Sequence, residues 1–430
     1  MDRKKKAGTK HAKAGPRKAG RGVVVSTPNG PPAKPGKRRE TVPAGAPAFL
    51  TAGTRTASID VRISYRIIDL FSEGLYRSPH KAIEELVSNA FDAGATRTSV
   101  VLSPDLAHAD ARIAVIDNGT GMDADGLKRH WHIGASEKRS ADFKPPRDRT
   151  QIGKFGIGKL ATYVLANRLS HVCRAGGQYF ATTMNYGVLE EKPGAGIDEH
   201  ETVELDVRVL TEAEAHEALS PWLSKDGVAG RVTLFGTDAE EAWTVAILSD
   251  LKDMATTLQR GRLKWILSTA MPLRDDFELF LDGEQVKASK LKKNKLKRWV
   301  LGKDVTELQK PAPSDLQATK DPSVPAKHPM HYGLTHPALG RVTGYAELYE
   351  DLLTGHKSDE TGRSHGFFLY VHHRLVNLED EYCGLDSNLL RHGTFSRFRM
   401  VLHANRLDDE LRSSRESVWP SGLFRTPRLR

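Results

Sequence analysis

Lys81-Ala-Ile-Glu-Glu-Leu-Val-Ser-Asn-Ala-Phe-Asp-Ala93 decides how this chain is read. Wound as a helix, it stacks Ile83, Leu86, Val87 and Ala90 on one face, at the spacing of a buried stripe. Glu85, Asn89 and Asp92 then fall together on the opposite face, at helical spacing. A carboxylate, an amide and a second carboxylate are thereby aligned on one rigid element, an array suited to a metal-bound phosphate and a water. Ser78 and Pro79 stand where a cap and a first helical residue belong. Alone, the pattern also fits a helix whose polar face only meets water.

Two glycine motifs follow. The first is Ile113-Ala-Val-Ile-Asp-Asn-Gly-Thr-Gly-Met122. Its apolar, β-branched run predicts a buried strand ending at Asp117. Gly119 and Gly121 at the exit permit positive φ and close approach to the backbone. An aspartate there suits an exocyclic amine such as that of adenine, although Asn-Gly also marks ordinary turns. The second is Gly153-Lys-Phe-Gly-Ile-Gly-Lys-Leu-Ala161, entering an apolar helix through Tyr163, Val164 and Leu165. Such a turn offers free backbone N–H groups to an anion. Gly153, Gly158 and Lys159 match most of a P-loop, but Leu160 stands where its Ser or Thr must be.

In this order, Glu-x-x-x-Asn-x-x-Asp, Asp-x-Gly-x-Gly-Met and Gly-x-Phe-Gly-x-Gly resemble the GHKL (Bergerat-fold) ATPases, especially the MORC, MutL and ninety-kilodalton heat-shock chaperone branches. The resemblance implies ATP and Mg²⁺. Glu85 is then the general base for water, Asn89 the Mg²⁺ ligand and Asp92 a support near the base. Asp117 reads the adenine amine, while Gly119, Gly121 and Met122 shape the pocket. The backbone of Gly153, Lys154, Phe155, Gly156, Ile157, Gly158 and Lys159 wraps the phosphates. Residues 123–152, basic and poor in apolar side chains, have the composition of a lid, including Arg129, Arg147 and Arg149. Within it, Ile133-Gly-Ala-Ser-Glu-Lys138 resembles a stretch of the MORC and MutL proteins that brings Ser136 and Lys138 towards the phosphates. His130 and His132 lack a third ligand at useful spacing and read as structural.

The family's Gly-Thr pair, whose Thr supports the adenine-reading Asp, is not evident. The candidate strand Ala229-Gly-Arg-Val-Thr-Leu-Phe235 carries its Thr233 out of place. Leu411-Arg-Ser-Ser-Arg-Glu-Ser-Val418 resembles the Ser-Arg-Glu loop of the ninety-kilodalton chaperones, which implies that Arg415 reaches the γ-phosphate from a second domain. An Arg suits that task through its planar, bidentate fork. A strand is expected at Phe367-Phe-Leu-Tyr-Val-His372.

The chain has 430 residues, 39% of them hydrophobic, enough for two or three domains, with no run long enough to span a membrane. Two cysteines, Cys173 and Cys383, suggest no disulfide framework, and with no apolar signal segment the expected setting is the cytoplasm. Residues 1–40 hold 13 Lys and Arg against 2 acids, a net of +11 in a chain whose total is +10. The basic balance therefore belongs to the arm.

The expected class is α+β: a disordered basic arm over 1–50, a Bergerat two-layer α/β sandwich over 51–255 with its lid at about 123–152, and an α/β transducer-like domain over 256–430. The Pro-rich segment 311–326 reads as an inserted loop. The expected function is slow Mg²⁺-dependent ATP hydrolysis driving lid closure and, by the resemblance, ATP-state homodimer clamping. The arm and the Lys-rich stretch 287–298 favour association with DNA or RNA without sequence preference, although that stretch also fits a solvated helix face. The Ser-Arg-Glu loop favours a chaperone-like ATPase, and the altered Gly-Thr element a nucleotide-gated binding module without turnover.

Overall fold

The computed structural model describes residues 52–64, 78–132, 149, 152, 158–189, 200–271, 276–287, 294–304, 316–337, 339–353, 364–378, 380, 382–383, 385 and 395–410. The arm, Ser136, Lys138, residues 153–157 and Arg415 lie outside this set. The fold is α+β, as expected.

The quoted stretch lies in helix α1, Pro79–Asp92. Pro79 opens it, with φ preset for a helix and no N–H to orphan. Ser78 is the N-cap in extended conformation, but its hydroxyl makes no capping bond; it meets His80 Nδ1 at 3.3 Å instead. Gly94, at φ +75°, closes the helix. Its N–H donates to Phe91 O, and Ala95 N–H to Ala90 O. This is the paired closure that glycine makes easy.

The helix lies against a mixed sheet whose described strands are β1 Thr54–Ser64, β2 Arg97–Leu102, β3 Ile113–Asp117, β4 Ala166–Ala175, β5 Gln178–Asn185, β6 His200–Leu210, β9 Trp243–Leu251, β10 Glu278–Leu281 and β11 Glu284–Val286. Their spatial order is β1-β6-β5-β4-β9-β3-β2-β10-β11. All five residues of β3 are buried, which marks a strand covered on both faces. Its side chains alternate accordingly: Ile113 and Val115 join the core under α1, Ala114 and Ile116 the core on the other face. That second face is covered by helix α3, Glu212–Leu219, which opens on a Thr211/Glu214 capping box. The expected strand at 229–235 is instead a small separate hairpin, β7 Val228–Ala229 and β8 Val232–Thr233.

Helix α2, Ala124–Trp131, opens the segment expected to be a lid and is pinned by buried Leu127 and Trp131. Arg149, from the same segment, is not solvent-facing. It is buried over the Phe91 ring at 4.7 Å and donates to Ala95 O at 2.6 Å.

A second sheet comprises β12 Lys295–Val300, β13 Gln317–Lys320, β14 Tyr332–His336, β15 Gly340–Tyr349, β16 Gly366–Val371, β17 Arg374–Leu375 and β18 Phe398–His403. The strand expected at 367–372 is β16. The Lys-rich stretch enters β12, a strand rather than a helix, and 317–320 of the Pro-rich segment forms β13. Helix α4, Arg260–Ala270, serves both cores. Leu263 and Leu267 pack under the first sheet, whereas Ile266 and Ala270 meet Phe368 and Leu375 of the second. β10 and β11, which lie beyond 255 in sequence, pair within the first sheet. No helix of the described residues is long and apolar enough to cross a membrane.

Candidate functional site

Every residue of α1 except Asn89 is buried, so its polar face is not a solvated one. Asp92 sits in the core and accepts the Ile152 N–H at 2.7 Å. It thus anchors the backbone one residue before the glycine segment that begins at Gly153. Gly158 and Lys159 start a 3₁₀ helix, Gly158–Val164, where an apolar helix was expected; its Leu160 and Ala161 share the α1 core.

Glu85 lies in a buried ionic cluster. Lys81 Nζ donates to Glu84 Oε1 and Oε2 at 3.1 and 2.9 Å. Arg374, from the second sheet, donates from Nε to Glu84 Oε1 at 2.7 Å and from Nη2 to Glu85 Oε1 at 2.5 Å. Two cations and two carboxylates balance, which is how charge survives burial. Burial acts against the Arg374 charge, but Glu84 and Glu85 more than offset it and hold the guanidinium charged. The Lys81 ammonium is pushed down, first by burial and then by Arg374.

Asp117 leaves β3 on the helix side, following the alternation of Ile113 and Val115. Its Oδ1 accepts the Gly119 N–H at 2.9 Å. Burial pushes its carboxyl up to about 7, against the lowering effect of that hydrogen bond. Both glycines are required, for different reasons. A Cβ on Gly119 would meet Asp117 Oδ1 at 2.8 Å and Ala93 at 2.9 Å. Gly121 has φ +63°, and a Cβ there would lie 2.1 Å from Arg174 O. Thr120 N–H donates to Ala93 O at 3.0 Å, which joins this loop to the end of α1. Met122, partly buried, packs against the same core.

Sequence reasoning missed Thr244. In register, Asp117 faces Thr244 of β9, and Thr244 faces Cys173 of β4. The Thr244 side chain hydrogen-bonds the Cys173 thiol, whose pKa burial pushes up to about 12. A Thr at the start of an apolar strand was the available signal, missed because the Gly-Thr pair was sought at 229–235 instead. Arg374 gave no local signal at all: it meets α1 across 289 and 290 residues of sequence.

Residues 76–218 match the family described as histidine kinase-, DNA gyrase B- and HSP90-like ATPase. The chain carries a GHKL-type ATPase domain. Among curated proteins, the chaperone protein HtpG of Shewanella oneidensis is 28% identical over 157 residues, 32% of this chain and 24% of HtpG. HtpG of Shewanella pealeana is 27% identical over 162 residues, 33% and 25% of the two chains. The chain spans about a quarter of the length of these relatives, so the likeness is to the HSP90-like branch of GHKL ATPase domains and not to a whole chaperone. Glu85, Asn89, Asp92, Asp117, Gly119, Gly121 and Met122 all fall within the matched stretch. Arg374 lies outside it.

Proposed function

We propose that this chain binds ATP with Mg²⁺ and hydrolyses it slowly, using Glu85 to activate water and Asp117 to read the adenine amine. The observation that carries this reading is the Thr120–Ala93 hydrogen bond. It fastens the Asp117 loop to the end of the helix bearing Glu85, Asn89 and Asp92, so one rigid unit presents groups for both ends of a nucleotide. Phosphoryl transfer needs such positioning more than covalent chemistry. Asn89, the one incompletely buried residue of α1, supplies a single amide oxygen, which suits Mg²⁺ because that ion keeps several waters. Bound there, Mg²⁺ would neutralise charge on the β- and γ-phosphates. Ser136, Lys138, Arg415 and the backbone of 153–159 complete the phosphate side, and lid closure with dimer clamping follows ATP binding.

The test is ATP turnover and ATP affinity measured on the same variants. Glu85→Ala abolishes turnover and keeps binding; Asp117→Asn weakens binding itself. Unchanged turnover in the Glu85 variant removes it as the base. For the client, we favour nucleic acid through residues 1–50 and the basic edge of β12, where Lys295, Lys297 and Arg298 are exposed. Salt-sensitive DNA stimulation of turnover is the expected result. The similarity to HtpG supports a chaperone-like alternative, to which DNA-independent turnover would point.

A further inference from the structure

Lys81 already accounts for Glu84, since its ammonium reaches both carboxylate oxygens. What Arg374 adds is Glu85. Its guanidinium is 1% exposed and spends Nε on Glu84 and Nη2 on Glu85. Nη1 is buried without a hydrogen-bond partner among the described residues. A fork held on one edge by two carboxylates fixes the plane of the Glu85 carboxylate as well as its charge.

The element presenting Arg374 is braced at each point. β16 and β17 are joined by His372 and His373, which adopt left-handed φ values of 47° and 65°. That is the turn a two-residue hairpin needs, and non-glycine residues hold it only when the surroundings over-determine it. The surroundings do so here. Asn405 Oδ1 accepts the His372 N–H at 2.8 Å. Asn377 accepts the Leu369 N–H and donates to Phe367 O. Tyr370 donates its hydroxyl to Thr269 O of α4, the helix that also packs beneath the first sheet.

We propose that Arg374 is the positioning residue for Glu85, and that it makes ATP turnover conditional on the β16–β17 hairpin being seated against α1. This rests on the reading of Glu85 as the group that activates water. Arg374 itself touches no reacting atom; it sets the direction from which Glu85 meets the water, and it carries the state of the second sheet into the first. A base turned out of line loses rate without losing nucleotide, because the groups expected to bind adenine and Mg²⁺ lie elsewhere on the site.

The test compares the full chain with Arg374→Met, Arg374→Lys and the double variant Arg374→Met/Glu84→Gln, measuring kcat, ATP affinity and melting temperature. Arg374→Met is expected to lower kcat by at least about tenfold with ATP affinity within about twofold. Arg374→Lys recovers part of the rate, since one ammonium replaces a fork. The double variant restores neutrality with Lys81 and Glu85, so it recovers melting temperature but not kcat. Should the double variant recover kcat together with stability, Arg374 merely balances charge and the proposal falls. It falls equally if Arg374→Met turns over at the unaltered rate. Where Arg374→Met alone does not fold, the other two variants decide. Absence of turnover in the unaltered chain overturns the hydrolysis reading, and this inference with it; turnover that ignores Arg374 overturns the inference alone.

Discussion

At one wall of the site, Lys81, Glu84, Glu85 and Arg374 bury four charged groups that sum to zero. At the other, Asp117 is buried with the Gly119 N–H and no ion pair to a described residue. The first wall fixes its charges by mutual pairing, so each depends on all four partners. The second leaves its carboxyl to titrate near neutrality and relies on backbone fit for its shape. The paired wall is therefore sensitive to deletion, and the Asp117 wall to protons and to Cβ atoms.

The largest effect is expected at the paired wall. Removing one member of a buried ion pair strands the others, at a cost of about 3–5 kcal/mol. Arg374→Met should lose that much in denaturant unfolding. Surface ion pairs give the contrast: Lys264 and Glu284, both well exposed, should lose little stability on truncation. A similar small loss for Arg374→Met would mean that the hairpin is not seated on α1 in solution.

Backbone fit comes next. Gly121→Ala forces a left-handed φ on a residue with a Cβ and drives it into Arg174 O. About 3 kcal/mol is expected from strain and overpacking together. Gly176, at φ +56° with nothing within 4 Å of its Cβ position, pays for conformation alone, about 1 kcal/mol. Equal losses at the two glycines would show that φ, not the close approach, sets the requirement at Gly121.

The proton-sensitive wall gives a signed prediction. Asp117 is raised from 3.8 to about 7 on folding, so the native state binds its proton more tightly than the unfolded chain does. The stabilisation is full below pH 3.8 and is lost as pH rises towards 7, on the order of 4 kcal/mol in all. ATP binding should run the other way, because the ionised carboxylate is the stronger acceptor for an amine. Affinity should rise by up to about tenfold per pH unit between 6 and 7.5. The nucleotide titrates too, and Asp117→Asn isolates that contribution. Parallel pH profiles for the variant and the unaltered chain would place the Asp117 carboxyl well away from neutrality.

How much of this was legible depended on the range of the interaction. Local patterns carried α1 through Pro79 and its apolar stripe, and carried β3 through its unbroken apolar run into Asp117. The resemblance added roles to those residues because their spacing is itself local. Sequence could not tell that the Glu85 face is buried, since what buries it includes a guanidinium from 289 residues away. Nor could it assign Arg149, whose charge reads as a lid residue while its methylenes and guanidinium cover Phe91. The Lys-rich stretch lacks an apolar period, so nothing in it distinguished helix from β12; pairing with β15 makes that choice.

The smallest expected effect is the most specific. Thr244 faces Asp117 on one side and Cys173 on the other, and its side chain bonds the Cys173 thiol. Thr244→Val keeps the shape and removes the hydroxyl, so stability should change by only about 1 kcal/mol. If the threonine also orients the base-reading carboxylate, ATP affinity should fall by about threefold to tenfold while ATP turnover at saturation stays level, because Glu85 is untouched. Loss of affinity with kcat intact would assign Thr244 to the adenine wall even though Trp243, not a glycine, precedes it. Unchanged affinity would leave Thr244 as a packing partner of Cys173, and Asp117 as a carboxyl that works without a neighbour on β9.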